Sequence, residues 1–266
     1  MTAISEAVIL MAGQGSRLRQ GYSESFREQA GGQARLRDSD KTFLKPVAPV
    51  LGRPLILYTL DALVCAGIER VHLVVGYEME RMIAQVEQLI PSGVTASFIE
   101  NRDWRKQNGI SVLAAAGHVD APFLLTMSDH IFDNAIIDRL LNNFDPGLLN
   151  IAVDRKLESI FDLDDAMKVQ THRNRVTGIG KNLQHYDAID TGLFVCSPEI
   201  FDYLERVKSE SSRNDCSLAE GIRFMACDNK VRAIDIGDAW WQDVDTQQML
   251  QSAEKQIAAR MQAAAR

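Results

Sequence analysis

The chain has 266 residues, 46% of them hydrophobic and 24% charged, with a formal net charge of −7. That length suits one large α/β domain or two small ones, and it buries a sizeable core without disulfide staples. The acidic balance excludes nucleic-acid binding as the default, and Cys65, Cys196, Cys216 and Cys227 form no CxxC pair, so they read as reduced, structural cysteines of a cytoplasmic protein.

Residues 1–6, MTAISE, lack a basic leader, and the apolar run after them is too short for a signal peptide. No stretch is long enough to span a membrane, so no direct membrane insertion is expected. Ala7–Met11 reads as a strand buried on both faces. Gly13, Gly15, Ser16 and Arg17 follow at once. A buried strand emptying into a glycine-rich turn offers free backbone N–H groups, and Arg17 adds a planar positive fork suited to phosphate oxygens. The expectation is a polyphosphate cradle made of Met11, Ala12, Gly13, Gly15, Ser16 and Arg17. No third glycine follows for a dinucleotide fingerprint, and the Gly-Lys-Ser/Thr ending of a P-loop is missing. Taken alone, the segment fits an ordinary tight turn equally well.

Residues 19–41 are polar, mixed in charge and broken by Gly31 and Gly32. This long loop reads as a surface insertion or as a lid bringing Arg27, Arg35, Arg37 and Lys41 over phosphates. Lys45-Pro46 and Gly52-Arg53-Pro54 lead into a helix predicted over 54–66, with proline in its first turn and Gly67 after its end. Strands are predicted over 71–75 and 95–100, around an amphipathic helix over 78–90 stopped by Pro91. This rhythm predicts an α/β fold, a mostly parallel central sheet with helices on both faces, whose ligands sit at the carboxyl ends of the strands.

Asn101, Asn108, Gly109 and Ser111 follow the third strand. A nucleotide base needs an amide on its pairing edge and a glycine where backbone meets the ring, although Asn108 also suits a helix cap. A fourth strand, 123–127, ends in Ser128-Asp129-His130. A carboxylate at a strand tip beside a phosphate cradle is what an Mg²⁺ site needs. The next strand, 149–153, runs into Asp154 and Arg155. Glu158, Asp162, Asp164 and Asp165 lack the glycine and closing glutamate of a calcium loop and read as a solvated face. A hairpin turns at 172–174, and the turn Asp190-Thr191-Gly192 precedes a strand over 193–196. Helices start at Pro198, capped by Ser197, and at Ser217, where Glu220 completes a capping box. After a strand over 231–236, Trp240–Thr246 lead into a final helix over 246–265, which Asp245 caps unless it is a second metal candidate. That helix packs on the core or on a second subunit, which would make a homodimer. With no repeat or low-complexity linker, 1–266 reads as a single domain, with 19–41 a flexible loop and 154–192 a small antiparallel β insertion.

Six stretches act together: G-x-G-S-R-L from Gly13, K-P-V-x-P-V-x-G-x-P-L-I from Lys45, T-M-S-D-H from Thr126, D-L-D-D-A-M-K-V from Asp162, D-T-G-L-F-V from Asp190 and W-W-Q-D-V-D-T from Trp240. From Val8 to about Thr246 the chain resembles the sugar-1-phosphate nucleotidyltransferases and their cytidylyltransferase relatives, most closely the subgroup acting on inositol phosphate. The 19–41 interval departs from the pattern, being much shorter in that family. The resemblance implies a Rossmann-like nucleotidyltransferase fold and transfer of CMP from CTP to a phosphorylated or phosphonate small-molecule acceptor. It implies Mg²⁺ held by Asp129 and Asp243, Lys45 on the α-phosphate, and Lys181 with Lys168 on the acceptor phosphate. It also implies a base held by Asn101, Asn108, Gly109 and Ser111, acceptor hydroxyls near Asp190, Thr191 and Gly192, and His130 beside the acceptor. Inositol-1-phosphate is the favoured acceptor. Phosphocholine and aminoalkylphosphonates are rivals, since Trp104, Tyr186, Trp240 and Trp241 are suited to caging a cation. A sugar-1-phosphate enzyme, a non-catalytic nucleotide-sensing subunit and a glycosyltransferase stand further off.

Overall fold

A computed structural model describes residues 4–21 and 44–264. Arg27, Arg35, Arg37 and Lys41 lie outside the described residues, as does most of the predicted 19–41 loop.

Strand β1 (Glu6–Leu10) leads through residues 11–15 into a helix, α1, at residues 16–21. A 3-10 turn at Lys45–Val47 follows, then the short pair β2 (Pro49–Val50) and β3 (Arg53–Pro54). Next come α2 (Leu55–Cys65), β4 (Arg70–Val75), α3 (Met79–Val86), β5 (Thr95–Glu100) and α4 (Asn108–Ala114). The centre of the chain supplies β6 (Phe123–Met127), β7 (His130–Phe132), α5 (Asn134–Asn143) and β8 (Leu149–Asp154). The remainder is β9 (Lys168–His172), β10 (Arg175–Gly180), β11 (Ala188–Cys196), α6 (Glu199–Glu210), α7 (Leu218–Cys227), β12 (Val231–Asp235), β13 (Trp241–Asp243) and α8 (Gln247–Ala264).

Nine strands form one sheet in the order β5-β4-β1-β6-β11-β8-β12-β10-β9. The pairings among β5, β4, β1 and β6 are parallel, and β12 is parallel to β8; β11 runs antiparallel to both β6 and β8. Alternation along the strands splits the core into two layers. Val8, Leu10, Phe123 and Leu125 pack against α4, α6 and α7. Ala7, Ile9 and Leu124 pack with residues of α2, α3 and α5 on the other face. The predicted central sheet with helices on both faces is therefore present, but it is mixed rather than mostly parallel: among the described residues four of its strand pairings are parallel and five antiparallel. A third cluster, under α8, joins Leu18, Val50, Ile131, Val244 and Leu250.

The predicted hairpin is β9–β10, turning through Arg173 and Asn174, both at positive φ. It joins the main sheet: β10 pairs with β12, and β9 pairs with β11 as well as β10. Both outer strands thereby find partners for backbone groups that would otherwise form an open edge.

Several local expectations change. Asp190-Thr191-Gly192 is not a turn before a strand. It lies inside β11, where the pairing to β8 slips between Asp190 and Phe194 and Gly192 sits at φ 73°. Pro198, not Ser197, stands at the start of α6, and no side chain caps it. The capping box of α7 is present, with Ser217 accepting from Glu220 N–H and the Glu220 carboxylate accepting from Ser217 N–H. Helix α3 ends at Val86 and tightens into a 3-10 turn before Pro91. The final helix is capped by Thr246, whose hydroxyl accepts from Met249 N–H, so Asp245 is left for other work.

Candidate active site

Parallel strands β1 and β6 are neighbours, so the loops leaving their carboxyl ends lie side by side. Ser128 N–H donates to the Leu10 carbonyl at 3.0 Å, fixing residues 128–130 against the glycine-rich loop. Val244 N–H donates to the Asp129 carbonyl at 2.9 Å, and β13 pairs with β7 so that Asp243 stands opposite His130. The carboxylates of Asp129, Asp243 and Asp245, from two distant parts of the chain, are thus delivered to one place.

Lys45 is the buried cation among them. Its Nζ donates to Asp129 Oδ2 at 2.5 Å and to Asp245 Oδ1. Burial alone would lower its pKa, but the two carboxylates outweigh that and raise it. Burial likewise works against an ionised Asp129, yet the Lys45 ammonium and the His130 hydrogen bond hold its carboxyl far below the usual range. His130 Nδ1 meets Asp129 Oδ1 at 2.7 Å and is raised by that contact against the pull of burial. Asp243 is raised by burial and by the neighbouring charges of Asp245 and Asp129, against the opposing influence of His130. Its carboxyl makes no hydrogen bond or ion pair among the described residues.

Two cavities meet at this cluster. The smaller, about 270 Å³, is lined by Met11, Gly13, Gly15, Ser16, Arg17 and Lys45. A Cβ on Gly15 would stand 2.7 Å from Lys45 Cβ, and Gly15 has φ 61°, so the glycine lets the lysine pass. A Cβ on Gly13 would meet nothing within 4 Å. Ala12 is buried beneath the loop, its carbonyl accepting from Tyr77 N–H. The larger cavity, about 770 Å³, contains Asp190, Gly192, Lys181, Asp154 and Trp241 in its walls. Asp129 and Asp245 line both cavities.

Arg17 is tied across the cavities to Asp165 Oδ2 at 2.7 Å and to Asp245. Lys181 Nζ takes the other Asp165 oxygen at 2.5 Å. Asp165, expected on a solvated face, is therefore part of the site. Lys168 does not line either cavity. Its buried Nζ donates to the carbonyls of Asp164 and Lys181 at 3.1 and 2.9 Å, pinning the backbone that carries Asp165 and Lys181.

In the wall of the larger cavity, Asp190 Oδ1 accepts from Gly192 N–H at 2.8 Å, and burial raises its carboxyl to about 6. A Cβ on Gly192 would stand 2.5 Å from His130 Nε2. The hydroxyl of Thr191 points instead to the sheet, donating to the Ala152 carbonyl. Trp241 stacks on His130, centroids 6.0 Å apart, and its indole N–H donates to Asp154 at 3.0 Å. Lys156 donates to the other Asp154 oxygen.

The expected base loop is tightly self-bonded. Asn101 donates to the Ser111 hydroxyl and accepts from Asp103 N–H. Asn108 lines the larger cavity while its side-chain oxygen accepts from Leu218 N–H. A Cβ on Gly109 would stand 2.6 Å from the Cys216 carbonyl, so packing of α4 on residues 216–217 already accounts for that glycine. Of the four aromatics suited to a cage, Trp104 lies under Arg105 and Tyr186 under Lys168, and neither lines the cavity.

The carboxylates fit a divalent metal ion. Among the described residues no three acidic or imidazole groups form a ready-made cage, because Lys45 stands between Asp129 and Asp245. An octahedral cation bound by one or two carboxylates and completed by substrate phosphates needs no such cage. Asp243, without a partner among the described residues, and the excess of acid over the Lys45 ammonium in this cluster leave room for its charge.

A glycine-rich loop and a carboxylate cluster at the tips of parallel strands, opening on a second cavity, define a nucleotidyltransferase architecture. Residues 7–160 match the MobA-like NTP transferase domain, and the chain belongs to that family. Enzymes of the family generally use a divalent metal ion. The chain is 34% identical over 230 residues to the bifunctional IPC transferase and DIPP synthase of Rubrobacter xylanophilus, covering 86% of this chain and 50% of that protein. It thus spans about half the length of the curated relatives it matches first. A CMP-5'-(3-aminopropyl)phosphonate synthase from Streptomyces rubellomurinus is 28% identical over 90% of this chain and 36% of its own. Among solved structures, the inositol-1-phosphate CTP transferase from T. maritima superposes with a TM-score of 0.74 at 25% identity, covering 96% of this chain and 97% of its own. No helix among the described residues is long and apolar enough to cross a membrane.

Proposed function

We propose that this protein is a cytidylyltransferase that transfers CMP from CTP to inositol-1-phosphate and releases pyrophosphate. One observation carries the reading: Asp129 and Asp245 line both cavities, so a nucleotide in one and a phosphorylated acceptor in the other meet at the same carboxylates. The name of the T. maritima relative, an inositol-1-phosphate CTP transferase, supplies the base and the acceptor.

In this reading a phosphate oxygen of the acceptor attacks the α-phosphorus of CTP. A bond forms to the α-phosphorus, the α–β bridging bond breaks, and pyrophosphate leaves. The attacking oxygen is already anionic near neutral pH, so the protein's task is to bring like charges together. Backbone N–H groups around Gly13 and Gly15, with Arg17, hold the β- and γ-phosphates. Lys45 offsets charge on the α-phosphate, and Lys181, held by Lys168, takes the acceptor phosphate. The frame of Asn101, Asn108, Gly109 and Ser111 borders the base. Asp190 and Asp154 offer carboxylate oxygens to acceptor hydroxyls, with the Trp241–His130 stack and Gly192 shaping the wall. Asp129 and Asp243, with Asp245 beside them, would hold Mg²⁺, which supplies electrostatic stabilisation of charge on the phosphates. Residues 154–192 act as the acceptor module of a single domain, and the four free cysteines suit a reducing, cytoplasmic setting.

The test is pyrophosphate release with Mg²⁺, crossing the four NTPs against inositol-1-phosphate, phosphocholine, 2-aminoethylphosphonate and glucose-1-phosphate. Release is expected with CTP and inositol-1-phosphate. Turnover confined to another nucleotide or another acceptor would overturn the assignment.

A further inference from the structure

The wall of the larger cavity contains a cation that the proposed chemistry does not use. Arg260, on α8, and Trp240 both line it. The guanidinium carbon stands 5.3 Å from the Trp240 ring centroid. Asp133 holds the pair in register, since its Oδ2 accepts from Trp240 N–H at 2.7 Å and from Arg260 Nη1 at 2.9 Å. The helix carrying Arg260 is anchored by buried Met249, Leu250 and Ala253, and the Gln242 amide donates to the Met249 carbonyl at 3.0 Å.

Elsewhere the wall favours positive charge. Asp190 and Asp238 line the cavity and make no ion pair among the described residues. Acids beside an open indole face are what captures a quaternary or primary ammonium group. Two indoles line this cavity, and each has a covered face: Trp241 stacks on His130, and Trp240 carries Arg260. On Trp240 it is the protein's own guanidinium that makes the cation–π contact.

We infer that Arg260 is a specificity-determining residue that excludes ammonium-bearing phosphate and phosphonate acceptors while leaving the cavity open to uncharged polyol phosphates. The inference rests on the proposed reading of this cavity as the acceptor site. Arg260 excludes by charge and by covering Trp240, and it takes no part in the phosphoryl chemistry.

The experiment compares wild type, Arg260→Gln and Arg260→Lys. Phosphocholine binding to the intact chain is measured by titration calorimetry, and inositol-1-phosphate turnover by pyrophosphate release. Arg260→Gln removes the charge, and phosphocholine is expected to bind about tenfold more tightly, the scale of one cation–π contact. Arg260→Lys keeps the charge and is expected to stay within about twofold of wild type on that scale. Unchanged phosphocholine affinity in a normally melting Arg260→Gln variant would overturn the inference, as would a Lys variant that behaves like Gln. Because binding is read without turnover, a wild type inert toward inositol-1-phosphate sinks the functional reading separately.

Discussion

In the half of the sheet built from β5, β4, β1 and β6, every pairing is parallel, and the site residues ride on short loops beyond the strand ends. In the half built from β11, β8, β12, β10 and β9, they stand within a strand, as Asp190 and Gly192 do, or on segments tied down by side chains, as Lys181 does. The first half presents the glycine-rich loop and the Asp129 carboxylate through backbone geometry. The second shapes a pocket through side-chain packing. A substitution on the donor side should therefore alter chemistry and spare the fold, whereas one on the acceptor side should disturb architecture and recognition together.

The largest expected effect is on the donor side. Lys45→Met removes the buried cation between Asp129 and Asp245, and kcat should fall about 10²–10³-fold, the scale of one lost electrostatic stabiliser. Steady-state kinetics at saturating CTP measures it. Retention of activity within tenfold would reduce Lys45 to a counter-ion.

Next in size is a paired glycine test. Gly192→Ala places a Cβ against the His130 ring at a positive φ, and about 2 kcal/mol of stability should be lost to strain and displacement. Gly13→Ala puts its methyl in open space and should change stability by less than about 0.5 kcal/mol. Urea denaturation of both variants checks the contrast, and equal losses would erase the distinction between the two halves.

The smallest effect separates binding from support. Lys168→Met keeps the bulk of a buried side chain but frees the backbone of Asp164 and Lys181. The acceptor KM should rise about tenfold, the equivalent of one lost hydrogen bond to a charged group, while the CTP KM stays near its wild-type value. A rise in both would mean that the hairpin and the cradle are one unit.

The same contrast explains what the amino-acid pattern reveals. β1, β4 and β6 are legible because strands buried on both faces are short apolar runs, and each site loop begins where its run stops. The Ser217–Glu220 capping box and the hairpin at Arg173–Asn174 are local chemistry and are equally plain. Asp190-Thr191-Gly192 reads as a turn because glycine usually marks one; here Gly192 marks a slip in register beside His130, which no local pattern encodes. Asp165 looks solvated among its acidic neighbours because its partners Arg17 and Lys181 are distant in sequence. Asp245 is obscured by Thr246, which has the better capping hydroxyl. Gly109 fits a base-contact motif, yet its tight neighbour is Cys216. Side chains answering to the tertiary fold leave little trace in spacing.

The cluster around Lys45 also imposes a schedule on the nascent chain. Lys45 finds Asp129 after 84 residues but Asp245 only after 200. At roughly 5–20 residues per second, a ribosome needs about 10–40 s to span the longer interval. Until then the cradle has its lysine and its first aspartate but lacks the last carboxylates. During that interval the unfinished polypeptide holds the glycine-rich loop and Lys45 beside an incomplete carboxylate cluster.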